Sequence, residues 1–137
     1  MKFKDDVVES RFSDMHQYAQ DIAKEMDEWS VKNHGKELTL TATVSTIAED
    51  KELKRVSDTH RSRRAFDVRV KDLTETHIAE LCAEFRKRYN KYGAIVNNQK
   101  TLIVYKPHGS GPHLHVQLDR KFSLPPIDYK GNQNGTT

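Results

Sequence analysis

A single cysteine among 137 residues excludes an internal disulfide, so the fold has no covalent cross-link to rely on. Cys82 stands on what reads as the inner face of a helix and is expected to be a buried thiol without chemistry. Long hydrophobic runs are missing too: apolar residues make up 35% of the chain, and no run approaches the roughly 20 residues that span a bilayer. No membrane partner is therefore expected. The opening stretch Met1-Lys2-Phe3-Lys4-Asp5-Asp6 lacks the apolar segment of an export leader, which leads to the expectation that the chain is made and folded in a cytoplasm. Charge of one sign is also scarce, with a net value of +3. Phosphate backbones are gripped by clustered cations, and the clusters Arg61, Arg63, Arg64 and Arg86, Lys87, Arg88 come without interleaved aromatics or a nucleic-acid motif. No nucleic-acid partner is expected, and the second cluster reads as the solvated face of a helix.

The length suits one domain with one modest core over residues 1–124, expected to be monomeric. Residues 125–137, with Pro125, Pro126 and a polar ending, read as a flexible tail. Phe12, Met15, Ala19, Ile22, Met26 and Trp29 recur at spacings of three and four, which predicts one helix capped by Ser13 or Asp14 and closed by Gly35. Leu38 to Val44 alternates apolar residues with threonines and predicts a half-buried strand. Residues 47–64 form a long polar connection with at most a helical turn near Glu49 to Leu53. Phe66, Val68 and Val70 predict a second strand whose polar face carries Asp67. A second main helix opens at Thr74 and Glu75, buries Ile78, Leu81, Cys82 and Phe85, and stops at Gly93. Strands near Ala94–Val96 and Thr101–Tyr105, joined by Asn97-Asn98-Gln99-Lys100, predict a hairpin. The last strand, from His113 to Leu118, sets His113, His115 and Gln117 on one face. The order predicts an α+β fold: two main helices on one face of a small, mostly antiparallel sheet.

Seven histidines are present, and their placement is the strongest chemical signal. A catalytic zinc takes three protein ligands from His, Asp, Glu and Cys and keeps a fourth position for water. His60, Asp67 and His115 can supply that set if the strand bearing Asp67 lies near the strand bearing His115. Each has an ordinary reading as well. A histidine on a strand is often structural, and Asp67 can pair with Arg69 or Arg64 on the surface. His16, His34 and His77 lie in or beside predicted helices and are expected at the surface.

Ser57-Asp58-Thr59-His60, then Asp67 early in a strand, then His113-Leu114-His115-Val116 resemble the Ser-x-His, Asp and His-x-His elements of the hedgehog/D-Ala-D-Ala peptidase superfamily. The resemblance spans roughly residues 39–118. It implies a hedgehog/DD-peptidase-like fold, zinc held by His60, Asp67 and His115, and a cleft for peptidoglycan stem peptides. The stretch from Pro112 to Val116 is similar to penicillin-insensitive murein endopeptidases, and the chain as a whole to small phage-type murein hydrolases. Carboxypeptidases of that superfamily carry a glutamate shortly before the last ligand; here Gly109, Ser110, Gly111, Pro112 and His113 stand instead. Endopeptidase-like relatives use histidines instead, so the resemblance favours an endopeptidase over a D-alanyl-D-alanine carboxypeptidase, with His113 or His108 as the histidine at work. A neutral His113 can take and return the proton, His108 or Arg55 is the candidate to stabilise the oxyanion, and Ser57 is the candidate to orient His60 or Asp67. Arg61, Arg63 and Arg64 either hold stem-peptide carboxylates or belong to a solvated loop. The expected activity is hydrolysis of a peptide bond in bacterial cell wall, as a phage lysin or virion enzyme. The rival expectation is a catalytically inactive metal-binding structural module of a phage virion.

Overall fold

The computed structural model describes residues 1–108 and 111–129. Gly109 and Ser110 of the expected approach loop, and residues 130–137 of the expected tail, lie outside the described residues. Two short elements come first, strand β1 (Lys2–Phe3) and helix α1 (Asp6–Ser10), with the Asp5 carboxylate accepting from the Val8 N–H at α1's start. The apolar stripe from Phe12 does not make one helix. Phe12–Asp14 forms a single 3-10 turn, Met15 is extended, and helix α2 runs from Gln17 to His34. Its cap is His16, neither Ser13 nor Asp14: the ring Nδ1 accepts from the Tyr18 N–H at 3.0 Å. Gly35 closes α2 at φ 64°, the left-handed conformation that glycine tolerates.

Strand β2 (Thr39–Ala42) is followed by helix α3 (Ile47–Glu52), opened by a reciprocal capping box between Thr46 and Glu49. Strand β3 (Ala65–Arg69) and helix α4 (Glu75–Tyr89, capped by Thr74) match the predicted pattern. A hairpin follows, but its second strand starts two residues earlier than expected, within the predicted turn, and ends at Thr101. Strand β4 (Ala94–Val96) turns at Asn97 and Asn98, both with positive φ, into β5 (Gln99–Thr101). Leu102 breaks the run, and β6 (Ile103–Lys106) joins the main sheet beside β7 (His113–Gln117). A side chain on Gly93 would meet the Leu102 backbone at 2.5 Å, so this close approach requires glycine.

The main sheet has the order β1-β2-β3-β7-β6, antiparallel except for the β1–β2 pair. The fold is α+β, with the long helices α2 and α4 accompanied by the short α1 and α3. Register explains how the sheet divides its faces. Phe66, Val116 and Ile103 lie in one cross-strand row, and Val68 and Leu114 in the next. These five are buried and pack with Ile22, Met26, Leu81 and Phe85 in one core. The alternate residues therefore point to the other face. Their rows are Ala65 with Gln117, then Asp67 with His115 and Val104, then Arg69 with His113 and Lys106.

Cys82 is buried as expected, and burial pushes its thiol pKa up. His77 corrects the surface expectation: it is 3% exposed, between α2 and α4. Residues 125–129, expected to begin a flexible tail, run back along the body. Arg63 donates to the Pro125 carbonyl at 3.3 Å, and the Tyr129 hydroxyl donates to the Asp14 carboxylate at 2.7 Å. Among the described residues no helix is long and apolar enough to cross a membrane.

Candidate metal centre

The connection between α3 and β3 carries His60 into the protein on a tight coil. Arg64 N–H reaches back to the Thr59 carbonyl, Ser62 N–H to that of Asp58, and Arg63 takes φ 67° in the left-handed region. That conformation is costly for a residue with a side chain. It is over-determined here: His16 N–H donates to the Arg63 carbonyl at 2.7 Å and Arg63 Nε to the Asp14 carbonyl at 2.6 Å. The coil leaves Thr59 and His60 buried beneath the polar face of the sheet, opposite Asp67 and His115.

Asp67 and His115 are direct partners across β3 and β7, so sheet register alone brings them together. Asp67 Oδ1 lies 2.9 Å from His115 Nδ1 and 3.2 Å from His60 Nε2. One ligand atom from each of the three residues falls within 4.8 Å of the others, and this is the group among the described residues that can hold a metal ion. The surface-pair reading of Asp67 is thereby replaced. Arg64 spends its donors on Asp58, Ser62 and the Leu118 carbonyl, and Asp67 is buried.

Outer hydrogen bonds decide which ring nitrogens face inward. The Thr43 carbonyl lies 2.7 Å from His60 Nδ1 and can only accept, so Nδ1 carries the proton and Nε2 presents a lone pair. The Gln117 amide nitrogen donates to the Thr101 carbonyl at 3.2 Å, which turns its Oε1 toward His115 Nε2 at 3.1 Å. His115 Nε2 therefore donates, with the Thr59 hydroxyl also 3.2 Å away, and Nδ1 presents its lone pair to Asp67. Two imidazole lone pairs and a carboxylate oxygen converge on one point. Either two extra protons or one cation must neutralise that convergence. Burial lowers the pKa of His115 despite its bond to Asp67, which opposes the extra proton. Burial alone would raise the Asp67 carboxyl, but when protons rather than a cation fill the convergence, the charge of His60 and the hydrogen bonds that His115 and His60 then donate hold it well below the usual range, so the carboxylate stays anionic. An anionic oxygen with two inward nitrogens, each ring oriented from behind, is a donor set that fits a divalent metal.

His113 stands beside this set. Its Nδ1 donates to the Gly111 carbonyl at 2.9 Å, leaving Nε2 to face Asp67 Oδ2 at 3.7 Å without reaching it. The centre opens into a cleft of about 990 Å³, whose walls include Arg55, His113, Lys71 and Lys106. Arg55 is held there by buried Asp50 at 3.0 Å. His108, the other oxyanion candidate, is exposed and does not line the cleft. Ser57 touches neither His60 nor Asp67; it bonds to the Thr59 hydroxyl at 3.2 Å, and Thr59 is the residue that meets His115. The three loop arginines are likewise engaged elsewhere. Arg61 pairs with Asp50, Arg63 binds backbone carbonyls and Arg64 is buried. Thr43, Thr59 and Gln117 escaped the sequence reading, although Gln117 shares the face of His113 and His115 and was within reach of the period-two argument.

No protein-family model, curated protein or solved structure matches this chain.

Proposed function

We propose that this chain is a zinc-dependent hydrolase that cleaves a peptide bond in bacterial peptidoglycan, in the manner of the hedgehog/D-Ala-D-Ala peptidases that its motifs resemble. One observation carries the reading: the buried, outward-anchored convergence of His60, Asp67 and His115 at the floor of an open cleft. Three N and O donors with room for a fourth ligand suit catalytic zinc. When bound, zinc supplies a Lewis acid for the scissile carbonyl and brings the pKa of a coordinated water from about 15.7 towards 7.

His113 is the general base. Its Nδ1–H is fixed on the Gly111 carbonyl, so the basic lone pair is on Nε2 at the edge of the centre. It accepts the proton of the attacking water and returns it to the leaving amine. This supplies the carboxylate's role without the glutamate, as an endopeptidase-type assignment requires. Arg55, fixed on the cleft wall by Asp50, stabilises the oxyanion. His60 and His115 act only through the metal, and Thr43, Thr59 and Gln117 orient them.

The test is digestion of purified peptidoglycan by zinc-loaded protein, with and without chelator, read by mass spectrometry of the released muropeptides. Fragments that vanish with chelator and return with zinc support the reading. Zinc retained at one per chain with no fragments from any wall chemotype supports the inactive virion module instead.

A further inference from the structure

The cleft carries more positive charge than the chemistry at its floor uses. Arg69 and Lys106 are the cross-strand partners of His113, one on each side, so three strands build a row of cation, histidine, cation. Lys71 follows just beyond β3 and Lys4 just beyond β1, and all four cations line the same cleft. None of the four side chains has an ion-pair or hydrogen-bond partner among the described residues. Asp67, the acidic residue lining this cleft, faces the candidate metal. Arg61, Arg64 and Arg63, by contrast, are consumed by Asp50, Asp58 and backbone carbonyls. Arg69, Lys106 and Lys71 gather at the His113 end of the strands, whereas Lys4 stands across the sheet beside β2.

Resting on the hydrolase reading above, we propose that Arg69 and Lys106, backed by Lys71, form a carboxylate-binding subsite that makes this cleft select acidic peptides over neutral ones. The row lies two residues along the strands from the row of Asp67 and His115, a separation of about 7 Å. An extended peptide advances about 3.3–3.6 Å per residue, so the bound carboxylate belongs to a residue one or two positions from the scissile bond. Leu53 and Val56, 62% and 101% exposed, stand on the same walls. Apolar surface interleaved with cations suits a peptide with side chains, whereas a phosphate polymer offers nothing to cover it.

The test uses two synthetic stem peptides differing only in whether their side-chain carboxylates are free or amidated, given to the zinc-loaded full chain. The free acid is expected to be cleaved with a kcat/KM about tenfold higher, carried by KM, because two charge-assisted contacts each contribute a few-fold. That preference collapses in Arg69→Gln/Lys106→Gln, and it shrinks in about 1 M salt, where screening acts within about 3 Å. Equal cleavage of both peptides by the wild type overturns the subsite and leaves the hydrolase reading standing. If neither peptide is cleaved, the hydrolase reading fails and calorimetric binding to the same protein decides. About tenfold tighter binding of the free acid, lost in the double variant, supports the subsite; equal binding of acid and amide overturns it.

Discussion

His60 and His115 lie on the polar face of the sheet with ring centroids 5.1 Å apart, while His34 and His77 stack at 4.0 Å, within 8° of parallel, between α2 and α4. Proximity alone would favour the second pair as the special one. Their outer bonds reverse that ranking. Ser30 donates its hydroxyl to the Lys36 carbonyl, so it accepts from His77 Nε2, and His34 Nε2 points away to Glu80 at 2.8 Å. Those rings spend their polar edges outward and meet face to face, with no carboxylate between them. At the sheet, the protons are drawn outward to Thr43 and Gln117, and the lone pairs are left facing Asp67. The direction of the outer hydrogen bond, more than the spacing of the rings, separates a metal centre from a packing contact.

The comparison breaks most sharply at Asp67. Asp67→Ala is expected to abolish zinc retention through dialysis, a loss beyond the about 10–100-fold that removal of an outer partner costs. Metal analysis checks it, and retention equal to wild type would remove the centre's distinction from the helical pair. His113→Ala comes next: zinc stays at one per chain while kcat for peptidoglycan release falls about 10²–10⁴-fold. If fragments appear at the wild-type rate, His113 is not the base. Gln117→Leu is milder, weakening zinc binding about 10–100-fold in competition with a chelator dye, because the His115 ring loses its orienting acceptor.

The smallest effect belongs to the helical pair and concerns stability. Burial and the neighbouring charges of His34 and Lys36 lower the pKa of His77 against the opposing pull of Glu80 and Asp72. The unfolded chain therefore takes up a proton near pH 6.5 that the folded chain refuses, so His77's contribution is present above that pH and is lost as pH falls below it. Denaturant melts at pH 7.5 and 5.5 should show a loss of about 1 kcal/mol or less attributable to His77. In His77→Gln that share of the pH dependence should vanish while zinc affinity stays at the wild-type value. A change in zinc affinity would mean that the two histidine regions are coupled.

The regular elements were legible where period decides. β3 and β7 each turn an apolar face to the core and a polar face to the other side, so the alternation of Phe66, Asp67, Val68 and of His113 to Leu118 showed in the sequence which side chains share a surface. The pairing of β3 with β7 is a long-range contact that alternation does not specify, and it entered only as a condition on the zinc set. What escaped was the capping of α2 by an imidazole, the break at Leu102, and the burial of His77. Each is a tertiary choice: His16 caps while packing on Phe122, and Leu102 leaves the strand where its backbone passes close against Gly93. The loop arginines misled for a similar reason, because cations written in a polar stretch carry no sign of the acids that claim them, Asp50 for Arg61 and Asp58 for Arg64. Arg69 and Lys106, far apart along the chain, became neighbours of His113 only through strand register.

The most direct measurement is anomalous scattering at the zinc edge from crystals of the full chain grown with zinc. The expected result is one peak about 2.0–2.2 Å from His60 Nε2, His115 Nδ1 and a carboxylate oxygen of Asp67, with His60 Nδ1 still on the Thr43 carbonyl. A peak at His34 or elsewhere, with Asp67 still bonded directly to both imidazoles, would contradict it.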